Sequence, residues 1–105
     1  MISEATIAEA VKLLQRAAPR ARIILFGSYA RGSAREDSDL DFLVVEPEVK
    51  SRRAEMVRLR DVLRPLRIPV DVLVVSQKTF EEWADAAGTV LYEAAHSGRA
   101  FDAAP

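Results

Sequence analysis

The sequence predicts a mixed α/β (α+β) fold in which a small mixed β-sheet is flanked by helices. Short apolar runs rich in β-branched residues alternate with stretches of helical periodicity. A helix-length segment separates the second and third apolar runs, which is long enough for a crossover between parallel strands. The 105 residues, of which 50% are hydrophobic and 30% charged, suit a single domain spanning residues 1–105. The order of the strands in the sheet is left open.

The first half of the chain predicts a long helix and two strands that are joined through a short turn. Ser3 precedes an apolar stripe of helical period, and Pro19 ends it. Residues 22–26 (RIILF) form an apolar run that stops at a glycine, which is typical of a buried strand. Residues 27–33 (GSYARGS) indicate a tight turn that opens a short helix, and residues 39–45 (DLDFLVV) predict the second strand.

The middle of the chain predicts the crossover helix and the third strand. Residues 50–66 place apolar side chains at helical spacing, with arginines that we expect to be mostly solvated on the outer faces. Residues 70–75 (VDVLVV) follow a proline and predict a strand.

The last part of the chain predicts a helix with one break. Residues 78–98 have a helical pattern that Gly88 breaks or bends. Phe80 and Trp83 fall on its apolar side, so we expect both in the core. Residues 99–105 are predicted to be a frayed tail.

Composition and charge exclude several classes of protein. A net charge of −1 gives no electrostatic reason to bind nucleic acid, so no direct nucleic-acid binding is expected. The absence of cysteine excludes disulfides and thiolate chemistry. The amino terminus carries charges throughout, and no run approaches the ~20 apolar residues of a membrane span, so we expect a cytoplasmic protein without membrane attachment.

Asp39 and Asp41 form the sharpest chemical motif. On a strand their side chains share one face, ~6.6 Å apart along the chain, while Leu40 points to the opposite face. Two carboxylates at this spacing repel each other unless a cation lies between them, and Mg²⁺ prefers carboxylate and phosphate oxygens. The alternative is a solvent-facing strand end that carries two acids.

Asp71 is an acid within the third apolar run. Burying an unpaired charge in a central strand costs several kcal/mol, on the order of 3–5. Either an arginine of the preceding helix neutralises Asp71, or it faces a metal together with Asp39 and Asp41. Three carboxylates on adjacent strands are what a two-metal site for phosphoryl transfer requires.

Gly27 and Ser28 end the first strand and open a turn. Free backbone N–H groups and a hydroxyl at such a turn can bind phosphate oxygens. Arg31 and Arg35 follow at a spacing that could bring guanidinium groups near a triphosphate. A capping serine and two solvated arginines are the alternative.

The segment LFGSYARGSAREDSDLDFLVV resembles the GS…SDxD signature of the DNA polymerase beta-type nucleotidyltransferase superfamily, and more narrowly the minimal nucleotidyltransferases (MNT proteins). The resemblance implies a polymerase beta-like nucleotidyltransferase core. It further implies that Gly27 and Ser28 hold the triphosphate of ATP and that Asp39 and Asp41 ligate two Mg²⁺ ions. Asp71 would be the third ligand and a candidate general base.

MNT proteins typically act as antitoxins paired with an all-helical HEPN ribonuclease toxin. The resemblance therefore implies a hetero-oligomer in which this chain transfers AMP from ATP to a toxin tyrosine. Since the chain stops soon after the core, we expect the acceptor to come from a partner. His96 lacks an upstream arginine at the HEPN spacing, so this chain is not predicted to be the toxin. The alternatives are a non-catalytic binding antitoxin, and an adenylyltransferase that acts on a small molecule or nucleic acid with a partner subunit.

Overall fold

The computed structural model describes residues 1–101 as a four-stranded mixed sheet with helices on both faces. The helices are α1 (Glu4–Ala17), α2 (Ser28–Arg31), α3 (Arg52–Leu63), α4 (Gln77–Trp83) and α5 (Val90–Ser97), and a 3₁₀ turn (Arg64–Leu66) follows α3. The strands are β1 (Arg22–Phe26), β2 (Leu40–Glu46), β3 (Val70–Ser76) and β4 (Arg99–Phe101). This architecture confirms the predicted fold class.

The strand order is β3-β2-β1-β4. Strand β1 pairs antiparallel with both β2 and β4, whereas β2 and β3 are parallel. Helix α3 provides the crossover between the two parallel strands, as the sequence predicted. No helix among residues 1–101 has the length and apolar character to cross a membrane.

Side chains alternate along the strands between two apolar layers. Leu40, Phe42 and Val44 are fully buried in the layer that α1 and α3 cover, which confirms the predicted core face of β2. Leu43 and Val45 point the other way, into a smaller layer under α4 and α5. Both faces of the sheet are therefore covered, and polar chemistry is confined to the strand ends.

Helix α1 begins and ends where the sequence predicted. The Ser3 hydroxyl caps it by accepting a hydrogen bond from the Thr6 amide at 3.1 Å. Its apolar stripe packs into the core, and the helix ends shortly before Pro19. The buried residues of this stripe are Ile7, Ala10, Val11 and Leu14.

Two expectations for the end of the chain were wrong. Residues 99–101 form β4, in which Arg99 pairs with Leu25, because the outer edge of β1 offers unpaired backbone groups to a returning chain. The rest of the predicted frayed tail, residues 102–105, lies outside the described residues. Trp83 is 51% exposed, whereas Phe80 is buried as expected.

Trp83 is exposed because α4 ends at that residue. Gly88 then takes a φ of +89° between α4 and α5, so the predicted single helix divides in two. The predicted break at Gly88 is confirmed, and the second helix begins only at Val90.

Candidate active site

The sheet brings the predicted site residues to one end. Because β1 runs antiparallel to β2, the last residue of β1 lies beside Asp41, with Phe26 and Asp41 as register partners. Because β3 runs parallel to β2, Asp71 is the register partner of Asp41 on the other side. The turn that follows β1 and the starts of β2 and β3 therefore meet at the same edge.

Asp41 and Asp71 point to the same face of the sheet. Register partners on parallel neighbours have the same orientation, and the strands are about 4.8 Å apart. The shared face is the one that α4 and α5 cover further along the strands, where Leu43 and Leu73 are packed. Asp39 is exposed and directly precedes β2, which begins one residue later than predicted, at Leu40.

The Asp41 carboxyl lies in a strongly acidic environment. Burial is the largest cause that raises its pKa above the ordinary value. The negative charges of Asp71, Asp39 and Glu93 raise this pKa further, in that order. The guanidinium of Arg31 acts in the opposite direction. A bound cation would relieve this repulsion.

Gly27 packs directly against Asp41. Its backbone has φ 77° and ψ −155°, a region that is essentially restricted to glycine. A Cβ atom at this position would overlap Oδ2 of Asp41. Gly27 therefore allows both the sharp turn after β1 and the close approach of that turn to the carboxylate.

Ser28 opens α2 at this turn, and Arg31 ends the same helix. Nη1 of Arg31 lies 3.1 Å from Oε2 of Glu93, beside the acidic end of the sheet. Arg35 instead belongs to an exposed turn in which its amide donates to the Ser38 hydroxyl at 2.8 Å. Arg31 lies close enough to Asp41 to lower the pKa of that carboxyl, whereas among residues 1–101 no contact joins the Arg35 guanidinium to the three aspartates.

Asp71 forms an ion pair with Arg60 of α3 at 3.0 Å, and the two side chains are 51% and 49% exposed. The premise of a buried charge in a central strand was wrong, because β3 is an edge strand. The arginine alternative for Asp71 is confirmed. Asp71 also lies beside Asp41, and its role as a metal ligand stays a prediction.

The arginines from 52 to 67 are exposed, as expected, although several also bind acids or the backbone. Arg52 donates to the carbonyl of Val74 on the free edge of β3, which blocks further strand pairing there. Arg58 pairs with Glu55 within α3, and Arg64, the first residue of the 3₁₀ turn, pairs with Asp61 of α3.

The donor set suits Mg²⁺, because it consists of carboxylate oxygens that repel one another around Asp41. Within residues 1–101, no three His, Cys, Asp or Glu side chains already stand in metal-holding geometry. Asp71 would have to exchange Arg60 for a metal ion, which is feasible for a half-exposed pair.

Glu93 is a site residue that the sequence analysis did not identify. Its Oε2 accepts a hydrogen bond from the Gly27 amide at 3.1 Å, across 66 residues of sequence. The only sequence signal for Glu93 was its position in an apolar stretch of α5, two residues after Leu91 and directly before the buried Ala94. Only the packing of α5 on β1 places this acid against the turn.

Comparisons with known proteins agree with this geometry. The family model of the nucleotidyltransferase domain matches residues 6–96. The Methanocaldococcus jannaschii protein named "Putative protein adenylyltransferase MJ1305" is 52% identical over 42 residues, which are 39% of this chain. That match spans only 29% of the relative's own length.

Solved structures of toxin–antitoxin complexes have a similar fold. A toxin–antitoxin structure with AMP-PNP matches with a TM-score of 0.63 and 26% identity, over 94% of this chain and 72% of that one. A tri-AMPylated Shewanella oneidensis HEPN toxin in complex with an MNT antitoxin matches with a TM-score of 0.61 and 22% identity. This second match covers 94% of this chain and 71% of the matched chain.

Proposed function

The chain belongs to the nucleotidyltransferase domain family, and from this we propose that it transfers AMP from ATP to a protein acceptor. The proposed acceptor is a tyrosine of a cognate HEPN-type ribonuclease toxin, which this modification would neutralise. The observation that supports this most is the registered pair of Asp41 and Asp71 beside the turn at Gly27. The proposed compartment is the cytoplasm.

The proposed nucleotide site consists of the turn and the end of α2. Because Gly27 has no side chain, the turn lies directly against Asp41, so phosphate groups bound at the turn would lie beside that carboxylate. Ser28 would donate its hydroxyl to the terminal phosphates. Arg31 would bind them through its forked guanidinium, which suits a polyphosphate better than an ammonium group does.

Asp39, Asp41 and Asp71 would hold Mg²⁺, most simply as two ions. When bound, the metal would supply positive charge to the phosphates and to the attacking oxygen. After burial, the negative charges of Asp71, Asp39 and Glu93 raise the pKa of Asp41, which supports this assignment. Carboxylates that repel one another in this way attract a cation.

The proposed reaction is an in-line displacement at the α-phosphorus of ATP. A bond forms between the acceptor oxygen and the α-phosphorus while the bond to the bridging oxygen of the β-phosphate breaks, and pyrophosphate leaves. A tyrosine hydroxyl has a pKa near ~10, so its proton has to be removed during attack at neutral pH. Asp71, at the exposed edge of the site, is the candidate that would accept this proton.

The proposed assembly is a hetero-oligomer of this chain with its toxin. The similar solved chains occur in toxin–antitoxin complexes, one of which contains a tri-AMPylated HEPN toxin. The Asp71 side chain is half exposed on an edge strand, so a second molecule can approach it. A protein acceptor that brings its own reactive side chain to this edge fits that arrangement.

The test is transfer of label from α-³²P-ATP to the purified partner in the presence of Mg²⁺. We expect transfer by the wild type and a loss of about 1,000-fold or more in the double variant Asp39→Asn/Asp41→Asn, because both proposed metal ligands become neutral. The matched control is Asp37→Asn, an exposed acid in the preceding turn, which should retain normal transfer.

Other results would contradict the proposal in different ways. Equal neutralisation of the partner by wild type and double variant, without label transfer, would make the chain a binding antitoxin. Label that appears on a small molecule or on nucleic acid instead of the partner would identify a different acceptor class.

A further inference from the structure

One carboxylate oxygen, Oε2 of Glu93, contacts two of the groups proposed to bind the nucleotide. It accepts the Gly27 amide hydrogen at 3.1 Å and lies 3.1 Å from Nη1 of Arg31. A backbone N–H and a guanidinium that converge on a single anionic oxygen are the ligands typical of a phosphate oxygen.

Glu93 can leave this position. Its side chain is 40% exposed and that of Arg31 is 47% exposed, so water can solvate both groups once they separate. Glu93 also lies close enough to Asp41 to raise the pKa of that carboxyl. The carboxylate thus adds negative charge to the place where a triphosphate would bring more.

We propose that Glu93 occupies the position of a phosphate oxygen and that a nucleoside triphosphate must displace it in order to bind. This inference rests on the proposed function. In the free protein Glu93 holds the turn at Gly27 and neutralises Arg31. When nucleotide enters, both donors pass from the carboxylate to the phosphate, and Glu93 turns toward solvent.

The inference and a purely supportive role for Glu93 predict opposite changes in affinity. If Glu93 competes with phosphate, its removal frees two donors and removes a like charge, so nucleotide binds more tightly. If Glu93 only positions the turn while nucleotide is bound, its removal loosens Gly27 and Arg31, so nucleotide binds more weakly.

The experiment measures the Kd of AMP-PNP with Mg²⁺ by titration calorimetry for wild type, Glu93→Gln and Glu93→Ala. We expect both variants to bind about 3- to 30-fold more tightly, because one carboxylate–phosphate repulsion at a partly exposed site is removed. Glu93→Gln keeps an acceptor for the Gly27 amide, so the effect of removing the charge can be measured even if Glu93→Ala does not fold. Glu82→Gln, an exposed acid of α4, is the matched control and should leave the Kd unchanged.

The amide resonance of Gly27 gives an independent readout. Saturating AMP-PNP should shift it in the wild type, because the amide exchanges its carboxylate partner for phosphate. Weaker or unchanged binding by both Glu93 variants would overturn the inference and leave the proposed function intact. Absence of binding by wild type and by all variants would overturn the proposed function itself, and the inference with it.

Discussion

Gly27 shows at the scale of one residue why the turn after β1 has this sequence. Its φ and ψ lie in a region open essentially to glycine, and a side chain there would overlap Asp41. Gly32, five residues later, also has a positive φ of 75°, but no atom lies within 4 Å of where its Cβ would be. A side chain would therefore be strained at both positions, but it would overlap a neighbouring residue only at Gly27.

We expect Gly27→Ala to reduce the free energy of unfolding by about 2–4 kcal/mol, because strain and overlap add. It should also abolish measurable AMP-PNP binding, since Asp41 and the turn have to move apart. Gly32→Ala should cost only about 1 kcal/mol, because a left-handed α conformation alone is strained there. Urea unfolding and calorimetry of both variants provide the measurements, and equal effects at the two positions would contradict this account.

Individual site residues differ in how far sequence could predict them. Asp39, Asp41 and Gly27 fall within one short segment, so their spacing alone predicted that they act together. Glu93 could not be predicted, because it meets Gly27 only through the packing of α5 on the sheet. An arginine of α3 was one of the two partners considered for Asp71, but only the structure identifies it as Arg60. Arg35 was included on spacing, yet its amide lies in the exposed turn after α2, whereas Arg31 at the end of α2 pairs with Glu93.

At the scale of elements, Glu46 at the end of β2 and Glu55 of α3 form a pair of acids at the opposite end of β2 from Asp41. Burial and the neighbouring Glu55 raise the pKa of Glu46, the last residue of β2, to about 7. Hydrogen bonds from Arg58 and Glu46 lower the pKa of Glu55 to about 2. The Oε2 atom of Glu46 is buried and has no partner among the described residues. The pair therefore holds one proton on Glu46 up to nearly neutral pH.

This pair predicts a pH dependence of stability. Because folding raises the pKa of Glu46 from 4.5, its contribution is fully present below pH 4.5 and is lost as the pH rises to about 7. Glu46→Gln should remove that loss, so at pH 8 the variant should be more stable than wild type by about 1 kcal/mol. Solvent screening of this half-buried pair keeps the difference below the full linkage value.

The measurement is urea unfolding of wild type and Glu46→Gln at several pH values from 4.5 to 8. The lowered pKa of Glu55 affects stability mainly below pH 4.5, which lies outside the range compared. Glu48→Gln, an exposed acid two residues further on, should follow the wild-type curve. If the free energies of unfolding of wild type and Glu46→Gln changed with pH in the same way, the raised pKa of Glu46 would be refuted.

The elements themselves were largely predictable, and their ends were not. Apolar periodicity located α1, β1, β2, α3 and β3, since each has a face that must be buried. Strand β4 was missed because its three residues have no pattern of their own and are ordered by the open edge of β1. Trp83 was misplaced because a helical stripe does not reveal that the helix ends at that residue.

At the scale of the whole molecule, the order and direction of the strands bring residues that are distant in sequence to one end of the sheet. An antiparallel β1–β2 pair and a parallel β2–β3 pair bring three separate strand ends together. Neither pairing can be deduced from the apolar runs alone, although the length of the α3 crossover indicated that β2 and β3 could be parallel. A net charge of −1 conceals the acidic group of Asp39, Asp41, Asp71 and Glu93 at one end of the sheet, because basic residues elsewhere in the chain balance these charges.

The central claim is that Asp39, Asp41 and Asp71 form one divalent-cation site beside the turn at Gly27. Its most direct test is paramagnetic broadening of amide resonances by substoichiometric Mn²⁺, used in place of Mg²⁺. The account predicts that the amides of these four residues broaden first and that Asp39→Asn/Asp41→Asn abolishes the effect. Broadening that begins instead around Glu46, with Gly27 and Asp71 left sharp, would contradict it.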